Sequence, residues 1–104
     1  MKDLTGNDLL AICSALGNPH RLRIMAALSA GRQYVSLLAR ELGISRPLLH
    51  MHLQKLEVAG LVKGELELSE EGKAVKYFEP TDFSLLVTPQ SIAGASQTLD
   101  LETK

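Results

Sequence analysis

The chain has 104 residues, of which 45% are apolar, and a formal net charge of −1; this is enough for one domain with a modest core. No apolar stretch approaches the roughly 20 residues that a membrane-spanning helix requires. The single cysteine, Cys13, excludes an internal disulfide framework and fits a reducing cytoplasm. These features predict one cytoplasmic domain over residues 1–104, with no membrane partner.

Charge is distributed unevenly along the chain. Residues 1–63 contain eight Lys and Arg against four Asp and Glu, whereas residues 64–104 contain three against eight. A chain polarised in this way can present one basic face while being acidic overall. The net charge therefore does not exclude nucleic acid as a partner.

The first third of the chain predicts two helices. Apolar residues recur at helical spacing over residues 3–16, and Gly17 with Asn18 and Pro19 ends that helix. Asn18 is placed to cap a second helix, with Pro19 in its first turn and Gly31 as its end. Its expected core residues are Leu22, Ile24, Met25 and Leu28.

Residues 36–60 have the pattern of a helix-turn-helix. A short third helix is predicted with Ser36 as its N-cap, because apolar residues recur there at i, i+3, i+4 and i+7. Gly43 permits the left-handed backbone that ends it, Ser45 caps a fourth helix, and Pro47 is tolerated in the first turn of that helix. Two short helices joined by such a turn form a helix-turn-helix. The apolar positions are Val35, Leu38, Ala39 and Leu42 on the third helix, and Leu49, Leu53 and Leu56 on the fourth.

After Gly60 the periodicity changes from helical to alternating. "ELEL" (65–68) and "KAVKYFEP" (73–80) read as strands around a turn at "SEEG" (69–72), which predicts a hairpin wing over residues 61–80. Residues 81–104 are then a tail or dimerisation segment, with "DFSLLV" as an extended stretch and a short helix after Thr88-Pro89. The predicted fold is mainly α with a small β-hairpin, a winged helix-turn-helix.

The face of the fourth helix opposite its leucines is polar, which predicts a DNA-reading surface. A recognition helix lies in the major groove and meets base edges with its N-terminal part. Arg can pair with guanine, Gln with adenine, and Met can contact a thymine methyl group. The predicted base contacts are Arg46, Pro47, His50, Met51 and Gln54. The predicted phosphate contacts, which position the protein without reading sequence, are Arg32, Arg40, Lys55, Lys63 and, on the wing, Lys73 and Lys76.

The runs "NPHRLRIMAAL" and "VSLLARELGISRPLLHMHLQKLEVAGLV" resemble the ArsR-type winged-helix transcriptional repressors over about residues 9–80. The resemblance implies a homodimer that binds a palindromic double-stranded DNA operator and is released by an effector. It also implies pairing through the first and last helices. The apolar candidates for that dimer interface are Leu9, Leu10, Ile12, Cys13, Leu16 and Ile92.

Three features depart from the metal-sensing members of that family. The third-helix region reads "YVSLLA" without a Cys-x-Cys motif, and the tail has neither His nor Cys, so no metal site and no cofactor is expected. The segment "YFEPTDFSLLVTP" extends the usual wing exit and is similar to an archaeal branch of the family. The wing is acidic and is expected to contribute weakly to DNA binding, because it carries Glu65, Glu67, Glu70 and Glu71.

Several single residues carry structural predictions of their own. His50 and His52 lie about 200° apart on a helix and cannot share a metal ion, so His50 is assigned to the DNA face and His52 to a structural hydrogen bond. His20 is expected on the surface at a helix start. Cys13 fits a small buried apolar residue, with an intersubunit disulfide as the alternative, and Arg23 is the expected anchor of the turn region.

Two functions fit the sequence. The first is a sequence-specific DNA-binding regulator that acts as a repressor. The second is a winged-helix protein-interaction module without DNA binding, favoured by the acidic wing and the negative net charge. No pairing of a nucleophile with a base and no glycine-rich phosphate loop indicates an enzyme.

Overall fold

The computed structural model describes residues 4–99, which form five helices and a three-stranded antiparallel sheet. The strand order in that sheet is β1-β3-β2. Helices α3 and α4 with the β2–β3 hairpin make a winged helix-turn-helix, so the predicted fold is confirmed. In chain order the elements are α1 (Gly6–Leu16), α2 (Pro19–Leu28), β1 (Gln33–Tyr34), α3 (Val35–Leu42), α4 (Arg46–Val58), β2 (Val62–Leu68), β3 (Ala74–Pro80) and α5 (Pro89–Ser96).

Side-chain caps set the starts of the first two helices. α1 begins at Gly6 because Thr5 and Asp8 form a capping box, with the Asp8 amide donating to Thr5 Oγ1 at 3.1 Å; the predicted start at residue 3 lies outside the described residues. Asn18 caps α2 as predicted, since its Oδ1 accepts hydrogen bonds from the amides of His20 and Arg21 at 2.8 and 3.2 Å. α2 ends at Leu28, three residues before Gly31.

The start of α3 differs from the prediction. Ser36 is not its N-cap; Tyr34 holds that position and makes no side-chain capping bond. β1, which the sequence did not indicate, leads directly into α3 and pairs with β3, placing Gln33 opposite Phe78 and Tyr34 opposite Tyr77. Strand pairing therefore sets this helix start, and a capping side chain is not needed.

The core lies between the inner faces of the helices and the base of the hairpin. Leu49, Leu53 and Leu56 of α4 are fully buried, as predicted. Other fully or almost fully buried side chains are Ile24, Leu28, Leu38, Leu61, Val62 and Phe78. Each such side chain contributes about 1.5–3 kcal/mol relative to an exposed one, so this cluster supplies the main stabilisation that holds α4 in place.

Two apolar residues predicted inside are exposed. Leu22 has 55% of its surface exposed, and Cys13 is exposed as well. Each lies two residues from a buried position on the same helix, Ile24 on α2 and Ala15 on α1. Because two residues rotate a helix by about 200°, burial of Ile24 and Ala15 turns Leu22 and Cys13 outward. The assignment of Cys13 to the core of the single chain was therefore wrong.

The chain leaves the sheet after Pro80 and returns to α1. The Thr81 amide donates to Leu61 O at 3.0 Å and its hydroxyl to Gly60 O at 2.7 Å, which diverts the backbone from the strand direction. Residues 82–87 consequently form neither helix nor strand, although an extended segment was predicted there. α5 begins after Thr88 as predicted, and it packs against the N-terminal end of α1.

A close approach of α1 to α5 depends on Gly6. A Cβ atom on Gly6 would lie 2.5 Å from Ala95 O and 2.6 Å from Leu99 Cγ, so Gly6→Ala must separate the two helices. We expect this variant to lower the free energy of unfolding, measured by chemical denaturation, by roughly 1–3 kcal/mol.

Gly94→Ala in α5 is the matched control for Gly6→Ala. A Cβ at Gly94 meets nothing within 4 Å, and alanine favours the helix over glycine by about 0.5–1 kcal/mol. We expect this variant to be slightly more stable than the parent protein. Equal stabilities for the two variants would contradict the close α1–α5 contact.

Candidate nucleic-acid interface

The turn between α3 and α4 determines which face of α4 is free. Gly43 closes α3 with a left-handed φ of 67°. Ser45 then starts α4, its Oγ accepting a hydrogen bond from the Leu48 amide at 3.2 Å. The chain changes direction within two residues, so the leucines of α4 enter the core and its opposite face remains outside.

That outer face carries the predicted base contacts. Arg46, Pro47, His50, Met51 and Gln54 are all exposed. The structure thus brings the five together on one helix face, where their side chains are free to contact a ligand. The other predicted phosphate contacts are exposed as well. They are Lys55 on α4 itself, Arg40 on α3, Lys63 on β2, and Lys73 with Lys76 at the wing.

A groove of about 480 Å³ runs beside this face, between α4 and α1. Met51, Gln54 and Lys55 line its α4 side, and the small residues Ala11 and Ser14 line its α1 side. The charged residues at the groove are Lys55 and Arg21, both cationic. A concave surface with charge of one sign concentrates the field, so this flank of α4 attracts anions such as phosphate.

Arg32, predicted to contact phosphate, is engaged within the chain. Its Nη2 lies 3.2 Å from both carboxylate oxygens of Glu67, and its guanidinium lies 4.1 Å from the centre of the Tyr77 ring. The Tyr34 hydroxyl donates to the same Glu67 carboxylate at 2.7 Å. This pairing offsets the charge of Arg32, which weakens the prediction that it contacts DNA.

The wing glutamates are also more than a solvated face. Glu65 and Glu67 lie on one side of β2, where Glu65 accepts a hydrogen bond from the Tyr77 hydroxyl at 3.2 Å. The hydrogen bond from Tyr34, strengthened by the nearby Arg32 charge, lowers the pKa of Glu67 below its usual value. Two of the four wing carboxylates are thus held by partners within the chain.

His52 has the structural role predicted for it. It is the buried polar residue of α4, with 3% of its surface exposed, and its Nδ1 lies 3.1 Å from Arg21 Nη1. Burial lowers the pKa of His52, and the charges of Arg21, His20 and Lys55 lower it further. His52 is therefore neutral at pH 7.

The predicted anchor, Arg23, is exposed, and Arg21 performs that function instead. Arg21 Nε donates to Ala15 O at the end of α1 at 2.6 Å, in addition to its contact with His52. Arg23 lies about 200° further round α2 and points away from α1 and α4. His20 is half-buried, with its ring centroid 5.2 Å from that of His52, so it is not a simple surface residue.

Residues 4–99 contain no cluster of metal ligands and no membrane-spanning helix. No three His, Cys, Asp or Glu side chains of this range lie close enough together to hold a metal ion. No helix in the same range is long and apolar enough to cross a membrane. The exposed face of α4 with its flanking cations is the candidate site.

The chain is similar to transcriptional regulators. The sequence profile for "Bacterial regulatory protein, arsR family" matches residues 18–63, from the cap of α2 into β2. An uncharacterised HTH-type transcriptional regulator from Methanocaldococcus jannaschii is 34% identical over 85 residues, which cover 82% of this chain and 88% of that protein.

Solved structures show the same fold. A homodimeric winged helix-turn-helix DNA-binding domain from Mycobacterium bovis, a possible ArsR-family regulator studied by NMR, is 26% identical and has a TM-score of 0.60, over 71% of this chain and 64% of that one. HlyU from Vibrio cholerae, at 20% identity, has a TM-score of 0.60 over 86% and 85% of the two chains. The overlap with both structures extends well beyond the helix-turn-helix itself.

The Tyr34–Glu67 contact can be tested by titration. We expect Tyr34→Phe to raise the pKa of Glu67, because the bond that favours the charged carboxylate is lost. A depressed pKa in the folded state means that Glu67 stabilises the fold above its usual pKa, and that this contribution disappears as the pH falls through the folded-state value. NMR detection of the Glu67 side-chain carboxyl carbon measures the pKa directly.

Tyr77→Phe is the matched control, because it removes the hydroxyl that bonds Glu65 and leaves the Tyr34–Glu67 bond in place. We expect Glu67 to titrate at a lower pH in this variant than in Tyr34→Phe. A Glu67 titration that is the same in Tyr34→Phe and in the parent protein would contradict the contact.

Proposed function

Because this chain belongs to the ArsR family and is a DNA-binding transcriptional regulator, not an enzyme, we propose that it is a sequence-specific repressor that reads a palindromic double-stranded operator with α4. The observation that carries the proposal is the exposed polar face of α4, held outward by the turn from Gly43 to Ser45 and by the buried leucines behind it. Because its ligand is DNA inside the cell, we assign it to the cytoplasm.

The length of the face indicates how much DNA one chain can read. Arg46 and Gln54 are eight residues apart, which is about 12 Å along the helix axis. At 3.4 Å for each base step, this distance spans about three to four base pairs. Arg46 is suited to guanine and Gln54 to adenine, with His50, Met51 and Pro47 between them. One chain therefore reads a short half-site, and a second copy must supply the rest of the operator.

Phosphate contacts surround the reading face in this proposal. Lys55 lies on α4 itself, Arg40 and Lys63 lie on the adjoining α3 and β2, and Lys73 follows the wing turn. Arg32 is left out, because Glu67 already holds it. The protein-interaction alternative depended on a free acidic wing, and the bonds to Glu65 and Glu67 remove part of that support.

A homodimer formed through α1 and α5 completes the proposal. Gly6, Leu10 and Cys13 lie on one face of α1 at i, i+4 and i+7, and Gly6 is where this face meets α5. Leu10 is 59% exposed and Ile92 of α5 is 47% exposed. Neighbouring apolar surface of this kind marks an association site, and the related domain from Mycobacterium bovis is a homodimer. Of the predicted interface residues, Leu9, Leu10, Cys13 and Ile92 form the proposed interface, whereas Ile12 and Leu16 pack against the core of their own chain. Residues 81–99 supply its C-terminal segment, and the rest of the predicted segment, up to residue 104, lies outside the described residues.

The reading face can be tested on a duplex selected from a random pool. We expect Arg46→Ala and Gln54→Ala each to weaken binding to the selected duplex by about 1–3 kcal/mol, because each removes one base contact. Fluorescence anisotropy titrations at several salt concentrations measure the loss together with the salt dependence.

Two variants serve as controls for this experiment. Arg23→Ala removes the same charge as Arg46→Ala from an exposed site on α2 and is expected to bind like the parent protein. Lys63→Ala is expected to weaken binding to all sequences alike and to reduce the salt slope by about one. If Arg46→Ala and Gln54→Ala bind with parental affinity and salt slope, α4 is not the reading helix.

The dimer interface can be tested with one charged substitution. We expect Leu10→Asp to yield monomers at micromolar concentration in analytical ultracentrifugation, because a buried unpaired carboxylate opposes association. Leu66→Asp on the wing, where the leucine is 70% exposed, is the matched control and should remain dimeric. A monomeric parent protein under these conditions would rule out the interface.

A further inference from the structure

A polar contact joins three helices directly behind the recognition face. Arg21 projects from α2, bonds the C-terminal turn of α1 through Ala15 O at 2.6 Å, and contacts His52 of α4 at 3.1 Å. We call these residues, Arg21, Ala15 and His52, the Arg21 bracket. It is the polar link that ties α4 to both α1 and α2, since the remaining core around α4 is apolar.

The protonation state of the bracket follows from its chemistry. A guanidinium only donates hydrogen bonds and never accepts them. His52 Nδ1 must therefore be the acceptor, which leaves the imidazole neutral with its proton on Nε2. Nε2 is buried and has no hydrogen-bond partner among the described residues.

An unpartnered buried N–H destabilises a fold, so stability alone favours an apolar residue at position 52. The histidine is better explained by what its other nitrogen does. Leu49, Leu53 and Leu56 hold α4 in the core, but the hydrophobic effect that buries them is non-directional. A hydrogen bond from a rigid fork has a preferred distance and angle, and it therefore sets the rotation of α4.

We propose that Arg21 is a positioning residue for DNA reading, whose bond to neutral His52 sets the rotation of α4 so that Arg46 and Gln54 meet base edges together. The proposal rests on the function assigned to α4 above. Protonation of His52 at Nδ1 would place an N–H against the Nη1 donor of Arg21. The hydrogen bond between the two side chains would then be replaced by repulsion between two donors and two positive charges. The Arg21 bracket therefore opens in acid, and specific DNA binding is lost with it.

The groups that face His52 determine the pH at which this happens. Arg21 and His20 approach it from α2, Lys55 lies on α4 itself, and α1 contributes the Ala15 carbonyl to the bracket. The three charged or titratable side chains are all basic, and together with burial they lower the pKa of His52 below 6.5. The bracket is thus intact at neutral pH and is lost as the pH falls through the folded-state pKa.

The test compares a selected duplex with an unrelated duplex of the same length. We expect Arg21→Lys and His52→Leu to weaken binding to the selected duplex by at least about tenfold, the loss of one base contact. Lysine has no fork to bond Ala15 and His52 together, and leucine has no acceptor. Binding to the unrelated duplex should change less than about twofold, because phosphate contacts do not require the exact rotation of α4.

His52→Asn is the conservative variant, because the amide oxygen can replace Nδ1 as acceptor and does not titrate in this pH range. We expect it to retain most of the preference for the selected duplex and to keep that preference at every pH at which the variant is folded. The parent protein should lose its preference as the pH falls through the folded-state pKa of His52, which an NMR titration of the imidazole measures.

All affinities are to be measured where thermal melts show that every variant is folded, with Arg23→Lys as the matched control for Arg21→Lys. Equal losses on the two duplexes would indicate a general structural role and would overturn the proposal. The proposal would also be overturned if Arg21→Lys and His52→Leu kept the parental preference for the selected duplex while Arg46→Ala and Gln54→Ala lost it. If Arg46→Ala and Gln54→Ala bind the selected duplex like the parent protein, the function assigned to α4 is itself wrong.

Discussion

The burial of α4 along one narrow stripe is the constraint on which the rest of the structure depends. Leu49, Leu53 and Leu56 lie within about 60° of one another on the helix, and all three are fully buried. A stripe this narrow anchors the helix firmly and leaves most of its circumference outside the core. The turn from Gly43 to Ser45, the apolar faces of α2 and α3, and the base of the hairpin all serve to close the core over these leucines.

The parts of the fold that depend on neighbouring residues could be predicted from the sequence. Asn18 and Ser45 cap helices, Gly43 ends one, and the leucines of α4 face inward, because each signal acts within one or two helical turns. Predictions failed where a partner lies far away in sequence. β1 forms because β3 is there to pair with it, and Arg32 is held by a glutamate 35 residues further along the chain. No local pattern carries that information.

A second kind of failure came from apolar residues that occur on more than one face of a helix. Periodicity identifies α1 and α2 as helices, but it does not decide which apolar stripe is covered. Cys13 and Leu22 are exposed because Ala15 and Ile24 occupy the inner faces. For the same reason Arg21, and not Arg23, anchors α2. Burial of Ile24 and Leu28 turns Arg21 toward α1 and α4 and leaves Arg23 exposed. For the candidate site, the sequence predicted the exposed residues of α4 and the structural hydrogen bond of His52, but not that Arg21 is its partner.

Electrostatics explains how an acidic chain can present a site for a polyanion. The cations lie around α4, and two of the wing glutamates are drawn into bonds with Tyr34, Tyr77 and Arg32. Glu65 and Glu67 thus face groups of their own chain, and the exposed cations on α4 and its neighbouring elements include Arg40, Arg46, Lys55 and Lys63. Since the Debye length is about 8 Å at physiological salt, the local arrangement matters more than the net charge.

One small core meets two requirements for α4 in our proposal. Apolar packing keeps the helix attached, and the Arg21 bracket sets its rotation. Packing of the leucines holds α4 in the core, since each buried leucine contributes about 1.5–3 kcal/mol relative to an exposed one. Stability does not by itself set a rotation, however, and base recognition depends on rotation because hydrogen bonds to base edges are directional. A buried histidine with one unpartnered nitrogen lowers the stability of the packing, but its other nitrogen gives Arg21 an acceptor that sets the rotation of α4. In our proposal, its presence behind the reading face reflects the need to set the orientation of α4 as well as its attachment.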